Sequence, residues 1–146
     1  MYNVNGWQAV NGPAWAGYLP TGLSPASDTI TPLTMVNTFD TDLAWSGSAF
    51  NPKVPGYYFV TLQVAVTGTS GGYQAFFPII YKNGATLVSY LSAPVATTYY
   101  GGSISFTTAM NGTTDTISFG FLMNFTGSWT ISSTNTCATI FMVHGA

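Results

Sequence analysis

Asn51-Pro52-Lys53-Val54-Pro55-Gly56, running into Tyr57-Tyr58-Phe59-Val60-Thr61-Leu62-Gln63-Val64-Ala65-Val66, decides the fold of this 146-residue chain. The first six residues read as a turn, because two prolines and a glycine fix its backbone. The next ten alternate as a strand does: Tyr58, Val60, Leu62, Val64 and Val66 share one face, and Phe59, Thr61, Gln63 and Ala65 share the other. Even the second face is half apolar, so cover on both sides is expected.

The same pattern extends in both directions. Residues 13–19 read as a first strand and 20–28 as a loop. Residues 29–39 are extended material broken by Pro32, which suits a sheet edge, and residues 43–50 carry Trp45. After a turn at 67–72, residues 73–81 and 85–91 form a predicted hairpin around Lys82-Asn83-Gly84, since Asn-Gly readily takes the positive backbone angles of a tight turn. A loop at 92–100 precedes strands at 102–110, 116–125, 129–132 and 136–144, with a turn at Asn111-Gly112. Glu and Arg are absent, and no stretch holds apolar residues at helical spacing for three turns. Eight to ten short strands define an all-β chain, an antiparallel two-sheet jelly-roll sandwich.

Composition narrows the function. Six residues carry formal charge (Asp28, Asp40, Asp42, Asp115, Lys53 and Lys82), whereas a soluble monomer covers roughly a quarter of its surface with ions. Hiding surface in an assembly is the simplest alternative. A net charge of −2 with two Lys and no Arg cannot neutralise a row of phosphates, so nucleic acid is not an expected partner. The apolar runs at 57–60, 117–123 and 138–143 fall far short of the roughly 20 residues of a membrane helix. Cys137, in an alternating apolar run, reads as a small buried hydrophobe.

Several pieces together resemble the globular head of complement component 1q, whose fold is shared with tumour necrosis factor. Leu43, Phe50, Gly56 and Tyr58 stand at that family's signature spacing, although Val60 replaces its second aromatic. Pro13-Ala14-Trp15, Tyr81-Lys82-Asn83-Gly84, Gly101-Gly102-Ser103-Ile104, Asp115-Thr116-Ile117 and Ala138-Thr139-Ile140-Phe141-Met142-Val143 follow in the family's order. The resemblance covers residues 12–146, with residues 1–11 as an N-terminal arm. It implies a homotrimer packed through the sheet of the first, last and central strands. Trp15, Tyr58, Phe106, Phe141 and Val143 are the candidates for that interface; ordinary sandwich core is the other reading of each.

Chemistry is sparse. His144 is the single imidazole, and Cys137, seven residues before it, lies roughly 23 Å away along an extended strand. Residues 68–72 lack the lysine of a phosphate loop. Asp40 and Asp42 offer oxygen to calcium, but two carboxylates alone make a thin site. Asn111-Gly112-Thr113 and Asn124-Phe125-Thr126 are formal glycosylation triplets, of a kind that chance supplies in a chain rich in Asn and Thr. Aromatic residues Trp7, Tyr73, Tyr99, Tyr100 and Trp129 look exposed and suited to stacking. No enzyme, cofactor or metal is expected. The expectation is a structural virion protein, a bacteriophage capsid decoration or cement trimer made in the host cytoplasm, with no membrane partner. It rests on a small domain that starts at Met1 without a signal or stalk. Trp7 and Val10 on the arm are the candidates for contact with the major capsid protein or another virion protein. The alternative is a trimeric receptor- or glycan-binding tip of a phage fibre or of a bacterial surface or spore appendage.

Overall fold

A computed structural model describes residues 2–3, 6–7, 12–70, 73–89 and 99–145. Every regular element among them is a strand. Two short ones, Tyr2–Asn3 (β1) and Gly6–Trp7 (β2), pair with each other. The sandwich is built from Ala14–Tyr18 (β3), Thr31–Pro32 (β4), Val36–Asp40 (β5), Gly56–Ser70 (β6), Tyr73–Lys82 (β7), Ala85–Ser89 (β8), Tyr99–Met110 (β9), Ile117–Phe125 (β10), Ser128–Ile131 (β11) and Cys137–Gly145 (β12).

One sheet has the order β4-β10-β7-β8. The other is centred on β6: along one edge it pairs with β12 and then β11, and along the other with β9. Strands β3 and β5 extend that sheet beyond β12. All pairings are antiparallel, and the arrangement is a jelly roll of two facing sheets.

The alternation in β6 does what the sequence demands. Tyr58, Val60, Leu62, Val64 and Val66 are completely buried and meet Phe76, Ile80, Phe121 and Met123 of the facing sheet in one core. Each such side chain contributes roughly 1.5–3 kcal/mol by leaving water. Within the core Trp15 stacks on Trp45 at 4.3 Å, and both stack on Phe119.

The family signature divides. Phe50 and Tyr58 meet edge to face at 5.9 Å, both fully buried, and the Tyr58 hydroxyl donates to the Val54 carbonyl at 2.7 Å. Gly56 starts β6 against β12, where a Cβ would stand 2.5 Å from the His144 carbonyl oxygen. Leu43 takes no part: it is 80% exposed, at a positive φ of 52°.

The hairpin turns at Asn83 and Gly84, with φ of 53° and 77°, the mirror-image turn that suits twisted strands. Three sequence expectations need correction. Strand β6 continues to Ser70, where a turn from 67 was expected, because β11 and β9 give its last residues partners. Cys137 is exposed, because its place in the alternation of β12 puts it outside with Thr139 and Phe141. Trp129 is buried and donates its indole N–H to the Thr126 carbonyl.

Candidate assembly face

The outer side of the β6 sheet is an extended surface on which the described residues place no charge. Strand register places Val36, Tyr18, Cys137, Gln63 and Ser103 across one level. Phe39, Ala16, Thr139, Thr61 and Ser105 cross the next, and Ala14, Phe141, Phe59 and Thr107 the third. The Phe59 and Phe141 rings lie 5.3 Å apart, tilted by 47°. Beside them the Thr61 and Thr139 hydroxyls share a 2.6 Å hydrogen bond, which satisfies both without a charge. Tyr18, Val36, Phe39, Tyr57 and Phe141 are all exposed large apolar side chains on this face, a density that marks contact surfaces rather than free ones.

Ions are held elsewhere. Five of the six charged residues sit in or beside the loops at the end where β6 begins. The Asp40 carboxylate accepts from the backbone N–H groups of Asp42, Ala44 and Trp45, at 3.4, 3.0 and 2.8 Å, and so organises a loop. Lys53 donates to the Asp42 carbonyl. Lys82 pairs with Asp115 at 3.2 Å. The Asp115 carboxylate also accepts from the Asn83 amide and from the Asn111 backbone N–H. These hydrogen bonds, the Asn83 amide first and Lys82 after it, hold the Asp115 carboxyl below the usual carboxylate range. Asp28, at the other end, accepts two bonds from the Asn124 amide. Burial, with the Asp42 charge adding to it, pushes the Tyr58 phenol up to about 12.

The five residues singled out from sequence fall into different places. Trp15 and Tyr58 are completely buried inside the single chain, which leaves no area on them for another copy to cover. Phe141 (43% exposed) and Val143 (47%) stand open on β12. Phe106 is opposite Val60 and so has inner parity, yet at the sheet's edge it stays 36% exposed. Phe59 and Tyr57 were missed, although their parity with Gln63 along β6 was an available signal, whereas Tyr18 and Phe39 join the face only through the pairing register of β3 and β5. Val10 lies outside the described residues, and of Trp7 only the backbone in β2 is described. Cys137 and His144 occupy opposite ends of β12. Among the described residues no group of three His, Cys, Asp or Glu side chains comes together to hold a metal ion. The amides of both glycosylation triplets are engaged, Asn111 with Thr114 and Asn124 with Asp28.

No family model matches the sequence, and no curated protein matches it. Solved structures do match. Murine APRIL at pH 5.0 superposes with a TM-score of 0.69 at 12% identity, over 91% of this chain and 100% of that one. The globular domain of zebrafish complement 1qA protein gives 0.64 at 11% identity, over 93% and 100%. This chain has their jelly-roll fold. At such identity the likeness is one of backbone.

Proposed function

We propose that the chain is a non-catalytic structural module that closes the outer face of its β6 sheet against two further copies. In this reading the resulting homotrimer acts as a capsid decoration protein, cementing a bacteriophage shell through contacts with the major capsid protein. One observation carries it: an extended face centred on Phe59 and Phe141 with no ion on it, in a chain with six charges in all. Such a face favours association by area removed from water, at about 25 cal/mol per Å2 of apolar surface, offset by the entropy of bringing the copies together. A closed threefold arrangement uses one surface three times and leaves no edge for further growth.

Sedimentation equilibrium of the purified chain tests the first step. A single species at three times the chain mass is expected, and a folded monomer at high concentration refutes it. Particles stripped of the protein test the second. They should lose resistance to heat and to low salt and regain it on adding the trimer back; unchanged resistance removes the cementing role while leaving the trimer standing.

A further inference from the structure

A cleft of about 400 Å3 opens on the flank away from the assembly face, between β4, the loop through Ser48, and the strands β7 and β10. Ile30 and Pro32 give it an apolar wall, and Thr34, Ser48 and Ser118 bring hydroxyls to it. Those three hydroxyls make no hydrogen bond within the described residues. The hydroxyl of Ser46, in the same loop as Ser48, is by contrast engaged with the Ala49 carbonyl. Tyr81 completes the lining. Its ring lies against Gly120 of the next strand, where a Cβ would stand 2.8 Å from Cε2. Its hydroxyl is buried and has no hydrogen-bond partner among the described residues. A buried hydroxyl in that state gains from any partner that reaches it. Burial also raises the pKa of this phenol, which keeps it a neutral donor.

The lining holds no Asp, Lys or His. The nearest cation along the chain, Lys82, is tied to Asp115 and to the Ala109 carbonyl oxygen. An anionic ligand therefore finds no counter-charge. A purely apolar one would cover three hydroxyls without replacing their bonds to water and would leave the buried phenol without a partner, which is unfavourable. A pyranose answers both conditions, with C–H groups on its faces and O–H groups around its rim. The volume is in the range of small-ligand sites.

We propose that this cleft binds a neutral saccharide, one ring face against Ile30, Pro32 and the Tyr81 ring, its hydroxyls meeting Ser48, Ser118 and Thr34. A slight swing of the Tyr81 ring lets its hydroxyl take a sugar oxygen as partner. The proposal goes beyond the shell reading and does not rest on it, since the cleft and the assembly face belong to opposite sheets.

A glycan array, followed by calorimetric titration with neutral hexoses, N-acetylhexosamines and their short oligomers, tests it. Neutral sugars should bind, with Tyr81→Phe weakening them tenfold or more and Ser48→Trp, on an exposed loop, abolishing binding by filling the cleft. Both variants should sediment as the parent does, so loss of sugar binding and loss of assembly are read separately. Should Tyr81→Phe fail to fold, Ser48→Trp decides. Absence of any neutral ligand at millimolar concentration, binding of charged glycans only, or parental affinity in Ser48→Trp overturns the site.

Discussion

The two faces of β6 share a backbone and differ in everything else. Tyr58, Val60, Leu62, Val64 and Val66 are sealed inside the chain's own core, whereas Tyr57, Phe59, Thr61 and Gln63 on the other side retain exposure. Both faces carry aromatic residues, so hydrophobicity alone does not separate a core from a contact surface. What separates them is whether the same chain supplies a facing layer: the four-stranded sheet covers the inner side, whereas on the outer side the described residues bury Ala65 and leave Tyr57, Phe59, Thr61 and Gln63 without a facing sheet.

Substitutions on the two sides should therefore fail in different ways. The largest effect belongs inside. Phe121→Ala, under the β6 sheet and packed on Phe76 at 4.9 Å, should lose about 3–5 kcal/mol of folding stability in denaturant titration, whatever the state of association. Outside, Phe141→Asp should turn the proposed trimer into monomers by sedimentation while the chain keeps its β-sheet circular dichroism. If it unfolds the chain as Phe121→Ala does, the outer face is core by another name.

Tyr58 sharpens the contrast by pH. Its folded pKa, about 12, lies above the ordinary phenol value of about 10, so the unfolded chain gives up this proton first and stability falls between those two values. Tyr58→Phe should remove that alkaline loss while costing about 1 kcal/mol at neutral pH for the bond to Val54. The smallest effect is expected at Asp115. Its depressed pKa gives stability that is complete above the normal carboxylate range and is lost as pH falls through the folded value. Asp115→Asn should flatten the acid side of the stability profile.

Much of the fold was legible because period-two alternation is unambiguous where strands are long. Strands β6, β10 and β12 follow from it directly, and the hairpin follows from the turn residues Asn83-Gly84. The candidate contact surface was harder to read. Trp15 and Tyr58 stood out by size, but a side chain's face is set by its parity with the strand beside it. Trp15 lies opposite Ile140, inside, while Ala14 lies opposite Phe141, outside. That pairing register is a tertiary fact and leaves no mark in either strand alone. Cys137 escaped for the same reason. The cleft at Tyr81 was invisible because its lining is drawn from segments some ninety residues apart.

Thr61 and Thr139 sit in the middle of the uncharged face with their hydroxyls turned to each other. A seam closed over such a surface has no charges for dissolved ions to screen, so dilution of the buffer leaves it intact and sulfate tightens it. Chilling acts the other way, since the attraction between apolar surfaces fades as water cools. Cold lability, rather than sensitivity to ionic strength, is the behaviour expected of an assembly closed over this face.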